Sequence, residues 1–296
     1  MNNQYRLSFE AFDRETETER VQPYKIFFLS VEGNKSEVEY FTELSKYRET
    51  LGISAGIDVE VLRRDATDTN SDPQKVIELL EEYLRVKSLG MDKILEKIPE
   101  EVIAKYNEEI IRQYLYEPEA LPEDLREDIS CALHQANYDL LYMHYLLART
   151  TENDEFAIVI DRDRQAHKEK NMQACIQHCK ENSYGCYISN PCFEFWLLLH
   201  LTDVKKEYAD RMNDILENKR LSENHTFVSK EVSKLAGHGK KNLRFKENYL
   251  ENINVAIQRA KAFASDEEQL IFSIGTNVWK LIEKLRETSQ AVCETD

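Results

Sequence analysis

Residues 155–163, EFAIVIDRD, decide the fold class of this chain. They begin with a nearly continuous apolar run, which is typical of a strand at the centre of a parallel sheet that is covered on both faces. A second run, KIFFLSV at 25–31, ends at Glu32-Gly33 and leads into a helical pattern over 36–45. This succession of buried strand, tight turn and helix predicts an α/β fold with a mainly parallel sheet flanked by helices.

Other segments complete the pattern. Further strands are predicted at 57–62 and 186–189, and Ser36 is expected to cap the first helix together with Glu39. Residues 191–201, PCFEFWLLLHL, are apolar on nearly all sides, which predicts a fully buried helix. Helical periodicity predicts the remaining helices at 74–87, 101–116, 123–147, 168–181, 256–264 and 276–286.

The composition bounds the class of protein. The 296 residues are 42% hydrophobic, which allows a sizeable core, and the net charge of −16 argues against a general nucleic-acid coat. The chain has no apolar run near the roughly 20 residues needed to span a bilayer and no apolar signal core at its start, so we expect a cytoplasmic protein that does not enter membranes. Its six cysteines form no CxxC pair, which is typical of reduced thiols.

Composition also changes along the chain. Residues 1–22 form a polar leader, 23–87 and 151–200 the α/β core, 88–150 an acidic helical insertion and 201–296 a basic helical C-terminal region. Residues 219–246 contain eight Lys/Arg against two Glu, whereas 78–128 contain fifteen Asp/Glu against seven Lys/Arg. This asymmetry indicates either a polyanion-binding face or two differently solvated helical surfaces.

Three carboxylates follow the two strongest strand signals. Glu32 comes directly after one buried strand, and Asp161 and Asp163 come after the other. In an open α/β sheet the functional crevice lies beyond the carboxyl ends of the strands. Residues two apart in an extended segment lean to the same side, so both aspartates are expected to face that crevice. Three close carboxylates repel each other, and a hard cation such as Mg²⁺ relieves that repulsion.

A simpler interpretation stands beside this one. Acidic residues just after strands often cap helices or shape loops, and Asp161 alone would be weak evidence for a metal. The combination of VEG after one strand with IDRD after another favours the metal site.

Five blocks of the sequence carry a resemblance. They are FFLSVEGNKSEVEYF, IVIDRD, SNPCFEFWLLLH, AIQRAK and TNVWKLIEKL, and through them residues 24–87 and 152–286 resemble the RloB family of bacterial proteins. That resemblance implies a Toprim-like catalytic core of the kind associated with restriction and phage-defence loci. The family is similar to the Toprim nucleases that accompany ABC-type ATPases in abortive-infection systems.

The resemblance assigns roles residue by residue. The glutamate that follows the first strand of Toprim enzymes falls on Glu32, where it implies a metal ligand or a general acid/base. The paired aspartates fall on Asp161 and Asp163, where they imply ligands for Mg²⁺, or for Mn²⁺ in its place. The insertion at 88–150 departs from shorter relatives and is a candidate for setting substrate choice or partner contact.

Further residues are candidates for supporting roles. Lys35 either holds a phosphate or is a solvated lysine, and Glu37 recurs in the family block as a candidate beside the metal. Glu194 lies in an otherwise apolar helix, where a buried charge needs a partner, so it is either a further metal ligand or half of a structural ion pair. Asn190 lies in the same NPCFE block and is a supporting candidate.

Two other features have both a functional and a structural interpretation. The segment 237–241, GHGKK, places Lys240 and Lys241 beside flexible glycines, which suits either a nucleic-acid backbone grip or an exposed loop. His200 is expected to be a hydrogen-bonded core histidine rather than a ligand.

These features together predict a Mg²⁺-dependent endonuclease of a bacterial anti-phage system. The resemblance favours RNA, such as tRNA, over DNA as the substrate, and implies an ABC-type ATPase as partner; a homodimer is also compatible with it. The alternative is a non-catalytic, metal-binding regulatory subunit that docks a partner ATPase. A third alternative is a phosphotransfer enzyme that acts on small nucleotides.

Overall fold

The computed structural model describes residues 23–64, 72–136, 138–237 and 243–293. The predicted leader at 1–22 and the candidates Lys240 and Lys241 lie outside the described residues. Within the described parts, a five-stranded sheet has the order β2-β1-β3-β4-β5. Its strands are β1 Lys25–Val31, β2 Ile57–Val61, β3 Glu155–Asp161, β4 Gly185–Asn190 and β5 Gly275–Thr276. The first four strands are parallel and β5 is antiparallel to β4, which confirms the α/β class with a mainly parallel sheet.

Helices fill the connections. In chain order they are α1 Ser36–Lys46, α2 Pro73–Leu95, α3 Glu100–Tyr116, α4 Glu123–Gln135, α5 Leu140–Arg149, α6 Glu169–Asn182, α7 Phe193–Leu201, α8 Val204–Glu207, α9 Met212–Glu217, α10 Phe227–Ala236, α11 Ile253–Ala260, α12 Glu267–Leu270 and α13 Val278–Cys293. No helix within the described ranges is both long and apolar enough to cross a membrane.

The chain divides into two compact units. The described part of the first comprises 62–64, 78–136 and 138–152, and that of the second comprises 23–61, 72–77, 153–237 and 243–293. The first unit is helical and has its own buried side chains, among them Tyr106, Ile111, Leu133 and Met143. The second unit contains the sheet.

Register places defined side chains on each face of the sheet. Ser30 pairs with Ile158, and Ile158 pairs with Cys186, so these three share one face. The Ser30 hydroxyl donates to the Val76 carbonyl at 2.7 Å, which anchors the start of α2 on that face. The opposite face carries a hydrophobic core that includes residues from α1, α7, α10, α11 and α13.

Helix α7 is the centre of that core, as predicted. From Phe195 to Leu199 its side chains are at most 1% exposed. His200 lies among them and donates from Nδ1 to the Trp196 carbonyl at 2.9 Å, so its Nε2 accepts from the Tyr40 hydroxyl at 3.3 Å. Burial lowers the pKa of His200 to about 3, which keeps the ring neutral. The prediction of a hydrogen-bonded core histidine is therefore confirmed.

Some local predictions are wrong. Ser36 does not cap α1; Lys35 occupies the cap position without a side-chain hydrogen bond, and Glu39 instead accepts from the Leu243 amide at 2.7 Å. The helix expected over 123–147 is two helices, because the Asp139 carboxylate accepts from the Tyr142 amide and starts α5.

Candidate functional site

The parallel register of β1 and β3 brings Glu32 and Asp161 together. Val31 pairs with Val159, and the Glu32 amide continues the ladder by donating to the Val159 carbonyl at 2.9 Å. The Glu32 carboxylate then turns back, and its Oε2 accepts from the Asp161 amide at 2.8 Å. The first predicted acid therefore holds the backbone of the second.

Glu32 is buried and has a histidine partner. Its Oε1 lies 3.1 Å from Nε2 of His167, whose side chain is also buried. Burial lowers the pKa of His167, but the hydrogen bond and charge of Glu32 outweigh it and leave that pKa raised. Arg162 holds the intervening loop, because its guanidinium donates to the carbonyls of His167 at 2.9 Å and Ile271 at 2.8 Å.

Sequence reasoning missed His167. It lies in the loop between β3 and α6, shortly after the IDRD block and outside any periodic pattern. The signal in the sequence was a histidine that closely follows a strand-end acid, which is weak without knowledge of how the loop folds back.

Asp161 links the end of β3 to the start of α7. Its Oδ1 accepts from the Phe193 amide at 2.7 Å, at a helix N-terminus whose dipole favours negative charge. Even so, burial raises the pKa of Asp161 well above its ordinary value, and the charges of Glu32, Glu37 and Glu194 add to the effect.

Glu37 and Glu194 complete the group. Burial, followed by the charges of Glu194 and Glu32, raises the pKa of Glu37 to about 8, although its carboxylate accepts from the Gly33 amide at 3.1 Å. A Cβ on Gly33 would meet the Glu37 carboxylate, so a larger residue at this turn requires that side chain to move. We call Glu32, Glu37, Asp161 and Glu194 the carboxylate cluster.

The structure places Asp163 differently from the expectation. Strand β3 ends at Asp161, so the extended geometry that would align the two aspartates does not continue. Asp163 is exposed, and its carboxylate accepts from the amides of Gln165 at 2.9 Å and Ala166 at 3.4 Å. In this conformation it shapes the turn after the strand.

The remaining candidates lie around the cluster's elements. Lys35 is exposed in the turn before α1. Asn190 is fully buried at the end of β4, before a cis peptide bond to Pro191, and donates from Nδ2 to the Leu270 carbonyl at 2.7 Å. Its Oδ1 is buried without a hydrogen-bond partner among the described residues.

The donor chemistry of the cluster fits a hard divalent cation. Its members are carboxylates, whose oxygens Mg²⁺ prefers, and each carboxylate can accept more bonds than the one or two described above. In this conformation no group of three or more His, Cys, Asp or Glu side chains within the described ranges is arranged to hold a metal ion. The residues therefore fit a cation in kind, and side-chain rotation is needed to bring their oxygens around it.

Comparison with known proteins identifies the family. The family model described as RloB-like protein matches residues 27–285, which is most of the chain. Neither the curated proteins nor the solved structures gave a significant match. The matched span includes every member of the carboxylate cluster, and the chain belongs to the RloB-like protein family.

Proposed function

We propose that this protein is a Mg²⁺-dependent, Toprim-type endonuclease that acts as the effector of a bacterial anti-phage, abortive-infection system. The observation that carries the proposal is the carboxylate cluster at the ends of β1 and β3 and the start of α7. Burial and neighbouring negative charge raise the pKa of Glu37 and of Asp161, and a proton or a cation offsets that unfavourable charge. A divalent cation at this place suits phosphodiester chemistry.

The cluster and its histidine neighbour have different proposed roles, which are cation binding and positioning. Glu37, Asp161 and Glu194 are the proposed cation ligands, and Glu32 completes the set or handles a proton. When bound, Mg²⁺ supplies a Lewis acid that polarises the scissile phosphate and offsets its developing charge. His167 is a positioning residue, because its hydrogen bond fixes the rotamer of Glu32.

Other residues contribute outside the cluster. Asp163 joins the ligand set only if the loop after β3 rearranges, since its carboxylate now holds that turn. Lys35, exposed beside the cluster's first turn, is the proposed contact to a substrate phosphate. The proposed nucleophile is water, so one water molecule adds as the P–O bond breaks.

RNA, such as tRNA, is the proposed substrate, and an ABC-type ATPase is the proposed partner in the cytoplasm. Both follow from the resemblance to abortive-infection nucleases, so the assay varies the nucleic acid and the partner. Purified chain is incubated with RNA or DNA, with Mg²⁺, Mn²⁺ or chelator, and with or without a candidate ABC-type ATPase.

The decisive variants are Glu32→Gln and Asp161→Asn. Both remove a charge and keep an oxygen that can accept the observed amide hydrogen bond. Glu155→Gln is the matched control, because Glu155 is a partly buried acid at the other end of β3. The proposal predicts cation-dependent cleavage by wild type and the control, and loss in the two variants. Equal cleavage by all four proteins, or none under any condition, contradicts it and favours the regulatory-subunit alternative.

A further inference from the structure

Three cysteines of the sheet-containing unit lie together. Cys175 and Cys179 are one helical turn apart on α6, so they share a face. Cys186 lies on β4, a strand that contacts α6. Register places Cys186 on the same sheet face as Ser30 and Ile158, and the three thiols are close enough to affect one another's pKa. We call these residues the thiol triad; none of them belongs to the carboxylate cluster.

The backbone fixes the triad's geometry. The Tyr184 amide donates to the Cys179 carbonyl at 2.9 Å, which ties the end of α6 to a residue only two positions before Cys186. Cys175 is 2% and Cys179 1% exposed, whereas Cys186 is partly exposed. Cys186 is therefore the most exposed member of the triad.

The triad shares its protons unequally. Hydrogen bonds from Cys175 and then Cys186 lower the pKa of Cys179, and the hydrogen bond with Cys179 raises the pKa of Cys175. The pKa of Cys186 is raised by the same network. Because the thiolate is the reactive form of cysteine, Cys179 is the nucleophile of the group and its neighbours are proton donors.

We propose that the thiol triad is a peroxide-reactive site in which Cys179 and Cys186 form a reversible disulfide. The chemistry uses one hydrogen peroxide. The sulfur of Cys179 attacks a peroxide oxygen, the O–O bond breaks, and one water leaves after protonation, which gives a sulfenic acid. The sulfur of Cys186 then attacks that sulfur, the S–O bond breaks, and a second water leaves. Two thiols and one peroxide become one disulfide and two waters, and a small dithiol reverses the change.

Cys175 is the proton-sharing member rather than the partner in the bond. It lies on the same helix as Cys179, and its hydrogen bond is the first of those that stabilise the thiolate there. Cys186 approaches from a different element, so its bond to Cys179 joins helix to strand. A metal site is the competing explanation for three close cysteines, and elemental analysis of the purified protein separates the two.

Trypsin digestion reads out the linkage directly. The full-length protein is treated with hydrogen peroxide, alkylated and digested without reductant. Cys175 and Cys179 lie in the peptide 171–180, and Cys186 lies with Cys192 in the peptide 181–205, which ends at the next lysine. Mass spectrometry is expected to find these two peptides joined, and to find them separate after treatment with dithiothreitol.

Single variants assign the pair. The joined peptides persist in Cys175→Ser and in the control Cys131→Ser, whose exposed thiol lies on α4 and accepts from Gln135 of that helix. They are lost in Cys179→Ser and Cys186→Ser. Fragmentation of the joined wild-type peptides in the mass spectrometer also locates the bond among Cys175, Cys179, Cys186 and Cys192, so misfolding of one variant does not hide the answer.

Three results overturn the proposal. One is oxidation of wild type that yields only separate sulfinic or sulfonic products. A second is a bond confined to the peptide 171–180, which identifies Cys175 as the partner. The third is a stoichiometric thiophilic metal, found by elemental analysis of the purified protein, that blocks disulfide formation. None of these depends on nuclease activity, so the outcome is independent of the proposed function.

Discussion

The two ends of β3 treat similar acids in opposite ways. Glu155, at the start, accepts from Lys25 at 2.8 Å and from Lys284 of α13. Partial burial raises its pKa, but these two lysines outweigh burial and leave that pKa lowered. Asp161, six residues later, has its pKa raised by burial and by the charges of neighbouring carboxylates. At the start of β3 the carboxylate is paired with lysines, whereas at its end several carboxylates lie close together.

This comparison indicates which end of β3 lowers the stability of the folded protein. Ion pairing at the start of β3 stabilises the charged form of Glu155, as expected for a structural acid. Clustering at its end disfavours the charged forms of Asp161 and Glu37. This lowers the stability of the folded protein unless a proton or a cation offsets the negative charge. Natural proteins keep such unfavourable arrangements mainly where function requires them. The contrast therefore supports the placement of the functional site at the carboxyl ends of the strands.

The largest expected effect is on activity. Under the proposed function, Asp161→Asn and Glu32→Gln each lower the cleavage rate by about a hundredfold or more, the usual cost of losing a group that stabilises developing charge. Glu155→Gln leaves the rate within about twofold of wild type, because Glu155 pairs with lysines at the start of β3, away from the carboxylate cluster. Initial rates at several Mg²⁺ concentrations measure all three. A Glu155→Gln rate as low as that of Asp161→Asn would remove the distinction between the two ends.

The next effect is on the pH dependence of stability. Glu37 has a folded pKa of about 8, above its ordinary 4.5, so the folded state holds this proton more tightly than the unfolded state. Its contribution to stability is complete below pH 4.5 and is lost as pH rises through about 8. In chelator, the contribution of Glu37 to the free energy of unfolding is expected to fall across this window, with a slope of at most about 1.4 kcal/mol per pH unit.

Glu37→Gln tests the origin of that slope. Chemical denaturation across the window from pH 4.5 to about 8 is expected to give a flatter profile in the variant than in wild type. Glu155→Gln serves as the control and keeps the wild-type slope at alkaline pH. A wild-type stability that rises across this window contradicts the raised pKa of Glu37.

A smaller effect is the change in stability on substitution, which is expected to have opposite signs at the two ends of β3. Glu155→Gln is expected to destabilise the protein by about 1 kcal/mol, because it weakens bonds to two lysines. Asp161→Asn, in chelator at alkaline pH, is expected to stabilise it by a similar amount, about 1 kcal/mol, because it relieves repulsion and keeps the Phe193 hydrogen bond. Denaturation midpoints that shift in the same direction for both variants would contradict the comparison.

The smallest expected effect concerns Asp163. Its carboxylate accepts from two amides in an exposed turn, and asparagine supports the same turn, so Asp163→Asn is expected to change stability by less than about 0.5 kcal/mol. Cleavage by this variant then decides a separate question. A large loss of rate with unchanged stability indicates that the loop brings Asp163 to the metal during turnover, and an unchanged rate excludes it from the ligand set.

The most regular elements of the fold can be predicted from the sequence because local sequence patterns determine them. Strands β1 and β3 are continuous apolar runs, and α7 is apolar on all sides, so burial dictates both. Strand β5 is different, because the sequence pattern places Thr276 at the start of a helix. The strand has two residues, and its pairing depends on β4 and on Asn277, which bonds the β4 backbone from a distant part of the chain.

Part of the candidate site can also be predicted from the sequence. Glu32 and Asp161 follow strands that the sequence defines, and parallel register alone brings them together. Glu37 and Glu194 are candidates from the sequence, but their approach to Asp161 depends on how α1 and α7 pack. His167 reaches Glu32 only through a loop that Arg162 holds with two backbone carbonyls, and no sequence period encodes that path.

Binding of Mn²⁺ to the purified protein tests the central claim most directly. Thermal unfolding and calorimetric titration are compared for wild type, Glu155→Gln, Asp161→Asn and Glu32→Gln. If the carboxylate cluster holds the cation, Mn²⁺ at about 100 times its Kd stabilises wild type and the Glu155 variant by about 2.7 kcal/mol, and has little effect on the other two. An absence of binding to wild type, or equal stabilisation of all four proteins, contradicts a cation site at the ends of β1 and β3.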